Sequence, residues 1–262
     1  MRIACGIEYC GASYFGWQSQ ANDLPTIQSN VESALSRVAD HPVNVIAAGR
    51  TDKGVHATQQ IFHFDTHSKR ENCQWLLGAN SYLPKDIRIL WVKSVDHDFH
   101  AQFAARFRRY CYILYISPLS SAFFNQQVTL DHRNMNVHKM QSAAQYLVGE
   151  HDFSSFRASQ CQASHPNRYI HFIEIDQVGP FIKIDIQANG FLHHMVRNIT
   201  GVLTTIGVGE QPIDWCKHVL DSKKRSEGGV TAPASGLYFI HAGYDQKFSC
   251  PQFPRWPILG FT

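Results

Sequence analysis

The sequence predicts an α+β protein built as two mixed α/β halves, each with a largely antiparallel sheet. Three observations carry this. The first half reads strand, helix, strand, strand, helix, strand, a split-βαβ order. The second half again mixes period-2 and period-3.6 apolar runs. A polar link over residues 96–105 separates them and sets the expected boundary, with residues 1–96 before it and 97–262 after it.

The elements follow in order. Residues 1–11 alternate with Ile3, Cys5, Ile7 and Tyr9 on one face, a strand. Gly11 to Gln20 is a loop carrying Tyr14, Phe15 and Trp17 beside amide side chains. Two readings are open for it: a stacking surface for nucleic acid, or an aromatic loop packed on the core. Thr26 caps a helix whose apolar positions Ile27, Val31, Ala34, Leu35 and Val38 keep a helical period. An apolar run (Val43, Val45, Ile46) and a second (Ile61, Phe62, Phe64) flank Ala47 to Ala57, a hairpin with a glycine-rich loop. Residues 73–83 form a short helix stopped by Pro84, and 87–95 form a strand.

The second half opens with the strand Ala105 to Ile116, which places Tyr110, Tyr112 and Leu114 on one face and Arg109, Cys111 and Ile113 on the other. Arginines beside aromatics on a sheet suit RNA, and tyrosines filling a core suit it equally. Asn136 caps a helix over 137–148, residues 151–157 are a loop or turn, and 169–188 are a hairpin bent at Gly179-Pro180. Gly190 leads into a helix ending near Ile206, with Arg197 opposite Met195 and Ile199. A helix over 215–220, a polar loop over 221–227 and a turn-then-strand over 231–240 complete the half. The tail from Cys250 is expected to lie extended on the surface.

Composition bounds the function. The chain has 262 residues, of which 44% are hydrophobic and 17% charged, so it folds around real cores. A net charge of +3 permits a polyanionic partner without requiring one. Seven scattered cysteines and no secretory signal point to reduced thiols in a cytoplasm, and no apolar run is long enough for a membrane span. The chain lacks a P-loop, a Rossmann glycine fingerprint, a zinc-deaminase signature and a nucleophile elbow. Fifteen histidines invite a metal reading. His193 and His194, as neighbours on a helix, diverge by about 100° and would not share an ion, so no metal is expected.

The loop Gly49-Arg50-Thr51-Asp52-Lys53-Gly54-Val55-His56-Ala57 holds an arginine and an aspartate two residues apart between glycines. By spacing alone it is a charged hairpin tip or a catalytic loop. Together with Ile7-Glu8-Tyr9 through Gln20, Arg109 to Tyr112, Phe191 to Asn198, and Thr231-Ala232-Pro233 through Leu237, it resembles the TruA family of tRNA pseudouridine synthases. These blocks span nearly the whole chain in the family's order. Cys10 and Gly228-Gly229-Val230 depart from the usual family pattern.

The resemblance implies two RRM-like halves flanking a central, positively charged cleft, a homodimer, and tRNA as partner. It implies isomerisation of uridines 38, 39 and 40 of the anticodon stem-loop to pseudouridine, without a cofactor. Asp52 matches the nucleophile, acting at C1′ or through a glycal. Tyr110 matches the base-stacking tyrosine, Arg197 the basic partner of the aspartate, Arg50 the arginine that helps extrude the nucleotide, and Leu237 an apolar wall of the base pocket. The competing readings are a catalytically silent tRNA-binding protein on this scaffold and a small-molecule enzyme using Asp52 as a base.

Overall fold

The computed structural model describes residues 1–20, 24–251 and 254–257. The described residues form two compact units, residues 1–108 joined by those from Tyr238 to 257, and residues 109–237. The polar link expected to divide the chain at 96/97 packs with the first unit. The Arg2 guanidinium donates to the carbonyls of His97 (2.7 Å) and Phe99 (2.8 Å), and the Tyr244 hydroxyl donates to Ala101 O (2.6 Å). The extended tail expected from Cys250 falls largely outside the described residues.

In the first unit the split-βαβ order holds. It runs β1 (Arg2–Tyr9), α1 (Ile27–Ala39), β2 (Ile46–Ala47), β3 (His56–Asp65), α2 (Asn72–Tyr82) and β4 (Ile87–Val95). β1 pairs antiparallel with both β3 and β4, and β2 pairs antiparallel with β3. The last strand, β10 (Leu237–Gly243), joins β3 in parallel, with Tyr238 opposite His56. Thr26 caps α1 through a reciprocal box with Ser29, and Ile27, Val31, Ala34 and Leu35 are buried as their spacing predicts.

β3 begins five residues earlier than its apolar run, and Gln60 and His56 in that stretch find acceptors and donors inside the fold. Gln60 Nε2 donates to Gly49 O (2.7 Å), and His56 Nδ1 accepts from Gly11 N (3.1 Å). His63, also on β3, is 2% exposed and accepts from Ala101 N (3.2 Å). Burial, with the charges of Arg2 and His100 adding, pushes its pKa down to about 4.

That shift has a sign. An unfolded chain protonates this histidine near pH 6.5, and the native state does not until about 4. Its contribution is therefore complete above pH 6.5 and is lost as pH falls toward 4, by up to about 3 kcal/mol. His63→Gln, whose amide can still accept from Ala101 N, should flatten the urea-midpoint-versus-pH curve across that window. An unchanged curve would remove His63 from the acid limb.

In the second unit the strand order is β5-β9-β8-β7, with β6 beside β5. Here β5 is Phe107–Ile116, whose first two residues belong to the first unit, β6 Thr129–Asp131, β7 Gly149–Asp152, β8 Asn167–Val178 and β9 Phe181–Ala188. The β8/β9 hairpin turns at Gly179-Pro180 as predicted, while β6 and β7 are too short to register as periodic runs. α3 (Val137–Ala144) is capped by Asn136, whose side chain accepts from Lys139 N. It tightens into a 3-10 turn over Gln145–Leu147, so the expected helix to 148 ends early. α4 is Met195–Gly207 and α5 is Trp215–Ser222.

The arginines around the start of β5 all have protein acceptors. Arg109 makes a two-point ion pair with Asp185 (2.8 and 2.5 Å), whose side chain is 1% exposed. Arg106 grips Asp245, and Arg108 donates to the carbonyls of Ala48, Gln102 and Ala105. Within this strand Cys111, Tyr112, Ile113 and Leu114 fill the core, and the guanidinia serve protein acceptors.

Candidate active site

Each unit contributes its own constellation. In the first, residues 48–55 form the connection between β2 and β3. Its start is fixed by Ala48 N donating to Ile61 O (2.7 Å) and by the Gln60 amide holding Gly49 O. Its centre is fixed by Thr51, whose hydroxyl hydrogen-bonds the buried Tyr9 hydroxyl (2.8 Å) and whose carbonyl accepts from Trp17 N (2.9 Å). Val55 N donates to Asp52 O (3.1 Å), and Gly54 takes φ +79° to close the turn.

The loop from Gly11 to Gln20 is the buttress for this turn. Tyr14 and Trp17 are buried, so they pack rather than present stacking faces. Gly16 lies at φ +90°, where a Cβ would sit 2.6 Å from Thr51 O. A Cβ on Gly11 would lie 1.9 Å from Val55 O. Both glycines are thus required by the close approach of two backbones.

Against this frame the Asp52 side chain is half-buried. Arg50 is exposed, and among the described residues its guanidinium has no hydrogen bond or ion pair. The Lys53 ammonium sits 4.0 Å above the Phe15 ring. The result is a carboxylate and a free guanidinium presented by a rigid turn, an arrangement suited to nucleophilic work on a polyanion.

In the second unit Tyr110, Arg197 and Leu237 occupy β5, α4 and the start of β10. The Tyr110 ring meets Phe191 edge-to-face, with centroids 5.0 Å apart. Arg197 lies in the first turn of α4. Its Nε donates to Ala232 O (2.7 Å), and its carbonyl accepts from Ala232 N (3.1 Å). Leu237 is buried, and Gly236 before it packs against Ile113 O and the Tyr112 ring, where a Cβ would clash.

Several supporting residues were not evident from the sequence. The buried Tyr112 hydroxyl bonds Thr129 Oγ1 (2.5 Å) and donates to Pro233 O (2.8 Å). Burial raises its pKa, and the Thr129 contact and the Arg197 charge act against that rise. Asn198 links α4 to two segments: its Nδ2 donates to Phe156 O (2.7 Å), and its Oδ1 accepts from the Thr231 hydroxyl (2.6 Å). The only prior signal for this lattice was the presence of Asn198 and Thr231 within the recognised blocks.

The reasoning that separated His193 from His194 needs correction. α4 starts at Met195, and His194 is its N-cap at φ +61°, in the left-handed region. Off the helix, the two rings are not spread by helical geometry, and their centroids are 4.0 Å apart.

These constellations match a known family. The family model described as "tRNA pseudouridine synthase" fits residues 6–104 and 143–245. A protein of Pseudoalteromonas atlantica is 48% identical over 259 residues, covering 99% of this chain and 98% of its own. One from Coxiella burnetii is 50% identical over 258 residues, covering 98% of each chain. One from Pseudomonas aeruginosa is 49% identical over 251 residues, covering 96% of this chain and 88% of its own. All three are named tRNA pseudouridine synthase A. The chain belongs to the tRNA pseudouridine synthase family. Asp52, Arg50, Arg197 and Leu237 fall inside the matched segments, whereas Tyr110 lies between them.

Proposed function

We propose that this protein isomerises uridines 38, 39 and 40 of the tRNA anticodon stem-loop to pseudouridine, with Asp52 as nucleophile and no cofactor. The observation that carries the reading is the rigid Asp52 turn, in a chain about half identical to relatives named tRNA pseudouridine synthase A over 98% of their lengths. In this reading Asp52 attacks C1′ as N1 leaves, or takes the C2′ proton to give a glycal; the base rotates, C5 bonds to C1′ as the Asp52–C1′ bond breaks or the C2′ proton is returned, and N1 ends protonated as C5 gives up its proton. Arg197 works with Asp52, because a guanidinium keeps a carboxylate ionised and fixes its orientation.

Tyr110 stacks on the extruded base, and its hydroxyl takes the C5 proton. An aromatic face replaces stacking lost on flipping, which costs a few kcal/mol. Arg50, exposed and without an acceptor among the described residues, is suited to hold the strand as the base leaves, and Leu237 walls the base pocket. Two chains form the binding unit, which light scattering would register as about twice the 29.8 kDa chain mass; a monomer mass would oppose it. The protein works in the cytoplasm, where unmodified tRNA is met.

The test is tritium release from tRNA bearing 5-tritiated uridine. Wild-type protein should release tritium from unmodified tRNA, and no release would reject the isomerase reading in favour of silent binding. Tyr110→Phe keeps the ring and loses the hydroxyl, so it should bind tRNA normally and turn over roughly 10²–10⁴-fold more slowly. Unchanged turnover would remove the proton-transfer role.

A further inference from the structure

We propose that the groove beside the start of α4 is a phosphate pocket that seats one backbone phosphate of the RNA substrate. The proposal rests on the RNA-modifying reading above and adds to it a subsite within the second unit. The groove is about 590 Å³ and open rather than enclosed, so a phosphodiester can lie in it while its chain enters and leaves. Arg157, Arg225, His193, His194, Ser159 and Thr231 are among its walls. Guanidinium groups beside hydroxyls are donors suited to an anion.

Arg157 is the decisive residue. It is half-buried, and its guanidinium has no hydrogen bond or ion pair among the described residues. Most other arginines of this unit have protein acceptors: Arg109 pairs with Asp185, Arg133 with Asp131 and Glu210, and Arg197 with Ala232 O. A half-buried cation left without an acceptor is costly unless a ligand supplies one.

Its backbone is also held on both sides. Phe156 O accepts from Asn198 Nδ2 (2.7 Å), and Ala158 N donates to His193 O (2.9 Å). Facing it, Arg225 Nη2 donates to Thr231 Oγ1 (2.9 Å), which donates to Asn198 Oδ1 (2.6 Å). Both walls are therefore tied to Asn198, the residue after Arg197, and Ala232 after Thr231 holds Arg197 itself. A phosphate bridging Arg157 and Arg225 would tighten the same lattice that positions Arg197.

The test compares full-length wild type, Arg157→Gln and Lys217→Gln in tRNA binding from about 50 to 200 mM salt. Lys217 is an exposed α5 lysine paired with Asp221, outside the groove, and controls for loss of one positive charge. Arg157→Gln should weaken binding roughly 3- to 10-fold and reduce the slope of log K against log salt by about 0.7–0.9, the loss of one phosphate contact. Lys217→Gln should leave both unchanged.

An unchanged slope in Arg157→Gln overturns the pocket, as does an equal loss in Lys217→Gln. Calorimetry with inorganic phosphate distinguishes a free anion. Phosphate binding lost in Arg157→Gln, with its tRNA slope intact, would overturn the RNA assignment. The two readings separate cleanly. Wild-type protein that releases no tritium yet shows the Arg157-dependent slope fails as an isomerase and keeps the pocket.

Discussion

Asp52→Asn should abolish tritium release, by roughly 10⁴-fold or more, while tRNA affinity stays near wild type. The amide is nearly isosteric and remains on a turn whose fixed points lie elsewhere. Thr51 holds Tyr9 and Trp17, and the Asp52 backbone carbonyl, not its side chain, closes the turn onto Val55. The folded structure should therefore survive. What disappears is the negative charge and the nucleophilic oxygen, and removing a nucleophile from a site that acts as a unit has effects of this order. Single-turnover assays at saturating enzyme separate the chemical step from binding. Release within tenfold of wild type would displace Asp52 from the nucleophile's role.

Gly16→Ala should strongly destabilise the first unit. Two penalties act together. Gly16 has φ +90°, outside the range an L-residue adopts easily, and its new methyl would meet Thr51 O at 2.6 Å. The obstacle is backbone, so no side chain can swing away. Strain of about 1–2 kcal/mol from the dihedral and about 1–3 kcal/mol from overpacking gives a loss of roughly 2–5 kcal/mol. Thr51 neighbours Asp52, so the relaxation that relieves the clash also moves the carboxylate. Thermal unfolding should show the lost stability, and tritium release below the melting range should fall at least tenfold. A variant with wild-type stability and turnover would show that the two loops are not in register as described.

Legibility in the sequence followed periodicity. α1 was readable because Thr26 caps it and its buried residues repeat at helical spacing, and β1 because its apolar residues alternate. The N-terminal half of β3 was not, because His56 and Gln60 look like loop residues until their buried partners are seen. The Asp52 turn stood out by its glycines, yet spacing alone could not separate it from an ordinary charged tip. The reason for Gly16, a neighbouring backbone distant in sequence, is invisible in one dimension.

Arg109 misled for a related cause. An arginine beside tyrosines looks alike whether it awaits RNA or holds Asp185, 76 residues away. His193 and His194 were placed on a helix because apolar periodicity extends to Leu192, although the helical backbone begins at Met195. Arg157 had no pattern at all. Its interest comes from the lack of an acceptor among the described residues, a property only three dimensions can reveal.

The return of β10 to the first unit has a consequence for the order in which the protein matures on the ribosome. β3 acquires its parallel neighbour only when Tyr238 and Phe239 have emerged, yet residues 109–237 are made in between. At about 5–20 residues per second that interval is on the order of ten seconds. Throughout it the stretch of β3 at His56 and Ala57 that β10 will cover is an open template. The intervening unit is contiguous and can complete itself first. The unit begun earliest is thus finished last, and a nascent chain stalled before residue 238 would expose that edge to chaperones.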